Sequence, residues 1–145
     1  MNEKEFWKIL DKLDWNNEGD DDLVLKPVIK YLSKLKDEEI FAFHEIMSKL
    51  LFNIDGKAWA KDIYKDFSNY SDDDFLYTRC VAIVNGEKYY NSIKNRKKKL
   101  NQDLEFESIL YVPEEAWNLK HKDDLNEYEY IPKCNYESRS NIDLW

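Results

Sequence analysis

The sequence predicts an all-α protein, a compact single-domain bundle of seven to eight short helices followed by a C-terminal tail. The 145 residues include just three Gly and three Pro, too few for the many turns that a β-sandwich or barrel requires. Apolar residues recur at helical spacing along most of the chain. Aromatic residues make up 15% of the sequence, which supplies the apolar surface for a core. We therefore expect a helical domain over residues 1–122 and a tail over residues 123–145.

The first three helices are predicted from apolar stripes. The first runs from about Glu3 to Leu13. The acidic run Asp20–Asp22 suits a helix start, because carboxylates complement the helix dipole and accept from its free N–H groups. Pro27 is tolerated only in a first turn, so the second regular helix is expected to begin close to it. A third helix is expected over residues 37–54, where Asp-Gly follows.

A fourth, short helix is predicted over residues 57–66, and the centre of the fold is predicted just after it. Ser71 and Asp74 have the spacing of a capping box at the start of a helix. The following run over residues 72–85 is apolar nearly all round, which is typical of a helix buried on several sides. We therefore place this helix at the centre of the domain.

Three more helices are predicted, over residues 87–95, 105–112 and from Pro113 to about His121, since Pro suits the first helical position. The segment 127–131 alternates with a period of two, but a lone strand needs a partner. The tail is instead expected to pack on the helices, or to be partly ordered. Three aromatic residues are expected to hold it: Tyr130, Tyr136 and Trp145.

A resemblance to a known family rests on residues of the central helix. The signature reads Ser71-Asp72-Asp73-x-Phe75-x-Tyr77-x-Arg79, and other segments follow in the family's order. They are Phe6-Trp7, Ile40-x-x-Phe43, Trp59-x-x-x-Ile63, Gly86-x-x-x-Tyr90 and Phe106-Glu107-x-x-Leu110-Tyr111-Val112. On these residues the chain resembles the bacterial domain-of-unknown-function family 4240 over about residues 3–120. Thr78 and Val81 depart from its usual aromatic residues. The resemblance implies a helical fold and no assigned activity.

The candidate polar cluster consists of three acids and one base on the central helix, namely Asp72, Asp73, Asp74 and Arg79. Arg79 lies among apolar neighbours, so its charge needs a partner if it is buried. Asp74 is five residues away, outside the favourable three- or four-residue spacing. A partner from another element is expected, and Asp55, Glu105 and Glu107 are the candidates. The cluster is interpreted as a helix cap with an ion pair between helices, or alternatively as a ligand-binding or active site.

The aromatic and metal-binding residue types offer weaker candidates. Trp7, Trp59 and Trp117 could line a ligand pocket, although aromatic residues in small helical domains usually form the core. His44 and His121 do not fall in a metal-binding spacing, and no metal or cofactor is predicted. The two cysteines, Cys80 and Cys134, show no paired spacing, and Cys80 is expected to be a buried thiol.

Net charge guides the functional hypothesis. The formal charge is −8, which disfavours nucleic acid and anionic membrane surfaces as partners and is compatible with a basic protein partner. No apolar run approaches the length of a membrane span, and a cytoplasmic location is expected. We predict a non-enzymatic protein-interaction module, immunity-like or regulatory. The alternative is a small-molecule-binding domain or an enzyme centred on Arg79 and residues 72–74.

Overall fold

The computed structural model describes residues 1–145 and contains seven α-helices and no strand, which confirms the predicted fold class. The helices are α1 (Glu3–Leu10), α2 (Asp21–Ser33), α3 (Asp37–Phe52), α4 (Lys57–Ala60), α5 (Asp72–Val84), α6 (Glu87–Lys94) and α7 (Val112–Lys120). The chain also forms three short 3₁₀ helices: Trp15–Asn17, Glu107–Tyr111 and, beyond α7, Ile142–Leu144. None of these helices combines the length and apolar character needed to cross a membrane.

Backbone contacts divide the chain into two units. Unit 1 comprises Met1–Ile46 and Ser108–Lys133, and unit 2 comprises Met47–Glu107 and Cys134–Trp145. Each unit therefore includes a part of the segment that follows α7. The predicted division into a domain over residues 1–122 and a tail stays a prediction.

Unit 1 is built around α2 and α7, which pack against each other, and α1 also contacts α2. Asn2 caps α1 through a capping box with Glu5, so both side chains satisfy backbone N–H groups at the helix start. The buried side chains of this unit are almost all apolar. They include Phe6, Trp7, Leu10, Val24, Leu25, Val28, Leu32, Ile40, Phe43, Ile109, Val112, Ala116 and Trp117.

Unit 2 is organised by α5, which contacts α6. The Ser71 hydroxyl oxygen accepts from the Asp74 N–H at 3.2 Å, as the cap predicted. The residues from Phe75 to Val84 are buried with the exception of Tyr77, which is half-buried. This confirms a helix that is enclosed on most sides. Gly86 follows the end of α5 and adopts φ 93°, a left-handed conformation that glycine tolerates better than other residues. A Cβ added at this position would meet no atom within 4 Å, so the conformation and not the space favours glycine.

Several predicted element boundaries are wrong. Helix α2 begins at Asp21, six residues before Pro27. Because proline has no N–H, it cannot donate to the Leu23 carbonyl, and the helix continues through Pro27 with one backbone hydrogen bond fewer. Helix α4 ends at Ala60, well short of the predicted residue 66, and the predicted helix over residues 105–112 contains only a 3₁₀ helix before α7 begins.

Candidate functional site

Arg79 lies at the centre of the polar arrangement in unit 2. Helix α5 carries it inward, and its side chain is fully buried. The guanidinium donates to the Leu51 carbonyl at 2.8 Å, to the Tyr136 carbonyl at 2.9 Å and to the Ser138 hydroxyl at 3.0 Å. It also lies over the Phe75 ring, 4.7 Å from the centroid. Its Nε atom has no hydrogen-bond partner.

Asp55 is the second buried charge of unit 2, with no exposed surface. It follows α3 and precedes Gly56. Its carboxylate accepts the backbone N–H groups of Arg139, Ser140 and Asn141 at 2.9, 2.9 and 3.0 Å. The indole N–H of Trp145 donates to the same carboxylate at 2.9 Å. Four N–H donors thus replace the water that the carboxylate loses on burial.

The expected direct ion pair of Arg79 is absent. None of the predicted acids reaches its guanidinium, whose hydrogen bonds go to two carbonyls and a hydroxyl. Burial lowers the pKa of Arg79, and the negative charge of Asp55 opposes this shift. Asp55 therefore acts on Arg79 through space, while both charges are satisfied mainly by neutral polar groups.

The three acids at the start of α5 do not converge on Arg79. Asp72 pairs with Arg139 through two bonds of 2.7 and 2.8 Å, and this contact holds the pKa of Asp72 below its usual value. Asp73 is exposed. Asp74 is also exposed and lines a cleft. Two of the three acids thus face solvent, and all three lie in the first turn of the helix, where they complement the helix dipole.

This cleft has a volume of about 640 Å³ and lies within unit 2. Four carboxylates line it: Asp66, Asp74, Asp103 and Glu105. Lys65 is the one basic residue among the lining residues. None of the four carboxylates forms an ion pair. A concave surface with uncompensated negative charge attracts cationic groups. We call this surface the acidic cleft.

The tryptophans take ordinary packing positions. Trp7 and Trp117 are buried in unit 1, where Trp117 stacks on Phe41 with centroids 5.5 Å apart. The Trp117 indole N–H donates to the Asn126 carbonyl at 2.9 Å. Trp59 belongs to unit 2 and donates to the Ile93 carbonyl at 2.9 Å.

Both histidines bind the segment after α7 within unit 1. The Nδ1 atom of His44 lies 2.7 Å from the Tyr128 hydroxyl, and burial lowers the pKa of His44 to about 4. In the neutral ring one nitrogen donates and the other accepts, so the tautomer decides whether Nδ1 accepts a hydrogen bond from the hydroxyl or donates one to it. His121 lies between Asp124 and Asp37, at 2.7 and 2.9 Å, and these carboxylates raise its pKa. No group of three or more His, Cys, Asp or Glu side chains is arranged to hold a metal ion.

Sequence reasoning missed the role of residues 136–145. It named Tyr136 and Trp145 as aromatic anchors, but Tyr136 bonds to Arg79 through its backbone carbonyl and Trp145 bonds to Asp55 through its indole N–H. Ser138 and Arg139 were not singled out at all. Their backbone and hydroxyl contacts follow no period that a sequence could reveal. Trp145 is the one residue of this segment whose role the sequence could have indicated, because an indole needs both an apolar contact and a hydrogen-bond acceptor when it is buried.

Comparison with known proteins yields a family match. A family model described as "Protein of unknown function (DUF4240)" matches residues 1–119, which confirms the resemblance carried by the α5 signature. No curated protein and no solved structure shows significant similarity to the chain. The matched region includes Asp55, Arg79 and the acidic cleft, and it excludes the residues that bind Asp55 and Arg79 from the C-terminal side.

Proposed function

The chain belongs to the DUF4240 family, and we propose that it is a non-enzymatic protein-interaction module that binds a basic protein partner. The acidic cleft of unit 2 is the observation that carries this proposal. Its four carboxylates are close to a single lysine and lack ion pairs. Such a surface accelerates encounter with a basic partner and selects against acidic ones.

The net negative charge of the chain favours an immunity-like or regulatory role in the bacterial cytoplasm. The net charge of −8 gives the whole chain the sign needed to neutralise a basic protein. The buried Cys80 thiol, whose pKa is raised by burial, suits a reducing compartment, and neither cysteine forms a disulfide.

The test combines partner capture from the native host with three substitutions in the acidic cleft. In the cleft variant, Asp74→Asn, Asp103→Asn and Glu105→Gln remove three negative charges. The control variant removes the same charge from exposed acids of unit 1 through Glu38→Gln, Asp123→Asn and Glu129→Gln. We expect a basic partner that co-purifies with the wild type and the control variant and is lost from the cleft variant.

The affinity of the captured partner is then measured by calorimetry at low and physiological salt. Weaker binding at higher salt is expected, because screening reduces the attraction between opposite charges. The absence of a reproducible partner at physiological salt, or equal binding by the cleft variant and the wild type, would contradict the proposal.

The alternative function, a small-molecule site or enzyme centred on Arg79 and residues 72–74, has less support in the geometry. All hydrogen bonds of Arg79 go to groups of its own chain. Asp73 and Asp74 face solvent, and the carboxylate of Asp72 pairs with Arg139 instead of with that guanidinium. A ligand could reach Arg79 only after residues 136–138 move.

A further inference from the structure

The segment Cys134–Trp145, which we call the strap, contacts two buried charges in the rest of unit 2. The Asp55 carboxylate accepts three consecutive backbone N–H groups of the strap, from Arg139 to Asn141. Arg79 donates to the Tyr136 carbonyl in the same segment. An anion thus binds the amide hydrogens and a cation binds a carbonyl oxygen. This pattern recognises a peptide backbone in one conformation, whatever its side chains.

The turn of the strap at Asp55 has the geometry of a backbone nest. Arg139 adopts φ 69°, a left-handed conformation, between neighbours that do not. A left-handed residue in such a turn points successive N–H groups toward one anion. The Asp55 carboxylate occupies the position of that anion. The contact therefore requires a peptide that can form this turn with three free N–H groups.

Side-chain recognition is concentrated on Trp145. Its ring lies edge-on to Phe75, Tyr70 and Phe67, with centroids 5.8, 5.9 and 6.5 Å away. Its indole N–H donates to Asp55, so one residue meets both the aromatic rings and the buried charge. This arrangement favours an indole over other side chains.

Gly56 adapts the surface to the strap. An added Cβ at Gly56 would lie 2.8 Å from the Leu144 Cβ and 2.9 Å from the Trp59 ring. The φ angle of Gly56 is −157°, an extended conformation that any residue can adopt. The glycine is therefore needed for the close approach of the strap and of Trp59, and its backbone conformation does not require it.

Polar contacts, more than apolar burial, hold the strap. Ser138 is its only buried residue, at 8% exposure, and Ile142 and Leu144 are exposed. Release of the strap would expose the ring of Trp145 and the aromatic rings that it covers, and it would return water to Asp55 and Arg79. Because charged groups regain hydration on exposure, the open and closed states are closer in free energy than for an apolar segment.

We propose that Asp55, Arg79 and the aromatic rings around Trp145 form a peptide-binding site that the strap occupies in cis and that a second copy of the same segment can occupy in trans. The ligand is a peptide that combines a turn with three free N–H groups, a serine hydroxyl for Arg79 and an indole. This site is separate from the acidic cleft, and it does not depend on the function proposed for that cleft.

The experiment uses the full chain with a specific protease sequence inserted between Lys133 and Cys134, at the boundary of the two units. The folded protein is cut, and a fluorescent peptide with the sequence of residues 134–145 is added, with Cys134→Ser. We expect the peptide to exchange into the cut protein, detected by anisotropy. Little binding is expected to the uncut chain, whose own strap is present at a high effective concentration.

Matched peptides and one protein variant test the contacts. Ser140→Pro in the peptide removes the backbone N–H that donates to Asp55. Binding of this peptide is expected to be weaker by about tenfold or more. Ile142→Ala changes a side chain that is 78% exposed, and its binding is expected to stay within about twofold of the parent peptide. Gly56→Ala in the cut protein is expected to weaken binding of the parent peptide about tenfold or more, because the new Cβ overlaps Leu144.

Three results would overturn the proposal. The first is that the added peptide does not replace the strap of the cut protein over several days. The second is loss of the helical circular dichroism signal when the strap leaves, which would make the strap an integral part of the fold. The third is equal binding of the parent and Ser140→Pro peptides.

Discussion

At the residue scale, the two histidines of unit 1 lie in opposite electrostatic environments. His44 is largely buried beside the Tyr128 hydroxyl, and burial favours its neutral form. His121 contacts the carboxylates of Asp124 and Asp37, and these favour its charged form. The same residue type is therefore held in different protonation states within one unit.

The histidine environments predict two separate titrations. By NMR, the His44 ring is expected to titrate near pH 4 and the His121 ring above the ordinary value of 6.5. For His44, the unfolded chain binds the proton first, so stability falls as the pH drops from 6.5 toward 4. For His121, stability is present below pH 6.5 and is lost as the pH rises through the folded pKa. Titration of both rings near pH 6.5 would contradict this assignment.

Arg79 is one of the two buried charges of unit 2, and its removal tests how much its hydrogen bonds stabilise the unit. Arg79→Ala is expected to lower the free energy of unfolding by about 3–5 kcal/mol, because it leaves the carbonyls of Leu51 and Tyr136 without their donor in a buried position. Chemical denaturation measures this change. The control is Arg139→Ala, which removes an ion pair whose side chains are 60% and 39% exposed and is expected to cost about 0–1 kcal/mol. An unchanged denaturation midpoint for Arg79→Ala would contradict the role of this buried charge.

At the scale of elements, α5 shows how local signals and burial reinforce each other. Its Ser71 cap and its acidic first turn satisfy and complement the free N–H groups at the helix start. The residues after this first turn carry apolar side chains on several faces of the helix, and most of these side chains are buried. Local sequence and tertiary environment favour the same structure here, and the helix lies where the sequence predicts.

The cap of α5 can be tested by one substitution. Ser71→Ala removes the acceptor for the Asp74 N–H, and a loss of about 1 kcal/mol in the free energy of unfolding is expected. Ser92→Ala in α6 is the matched control, since the Ser92 hydroxyl only donates to the Lys88 carbonyl of its own helix. Its expected effect is within about 0.5 kcal/mol. Equal effects of the two substitutions would show that the cap contributes nothing specific.

Other elements show where local signals fail. Pro27 suggests a helix start, yet α2 begins six residues earlier because an Asp20 cap and buried apolar residues stabilise the preceding turns. The predicted helix over residues 57–66 stops at Ala60. Beyond Ala60, Asp62 pairs with Arg96 and accepts the Leu100 N–H. Contacts with residues distant in the sequence thus stabilise a non-helical conformation after Ala60. Such contacts produce no periodic pattern in the local sequence from which they could be predicted.

At the scale of the whole molecule, both units include residues beyond the family match, which ends at residue 119. In unit 1 these residues place Tyr130 on Phe41, with ring centroids 4.8 Å apart. In unit 2 they supply the strap contacts to Asp55 and Arg79. The matched region therefore contains two buried charges whose hydrogen-bond partners lie mostly outside it.

Stability is expected to differ between the strap and α5. In native-state hydrogen exchange, the amides of Arg139, Ser140 and Asn141 are expected to exchange through a local opening, at a lower free energy and with less urea dependence than the amides of α5. The reason is that the strap contains a single buried residue, Ser138, whereas the α5 amides require unfolding of a helix that is buried along most of its length. The same exchange free energy and urea dependence for both sets would show that they unfold together.

The sequence by itself determined the helical class and the position and cap of α5, because apolar periodicity and capping residues act over a few neighbouring positions. It also indicated that Arg79 needs partners from elsewhere. Only the tertiary structure decided that these partners are a hydroxyl and two carbonyls, and that Asp55 binds backbone N–H groups 84 to 86 residues away. Backbone groups are the same in every residue, so no sequence pattern marks which of them will meet a buried charge. Their positions depend on how the whole chain returns to α5.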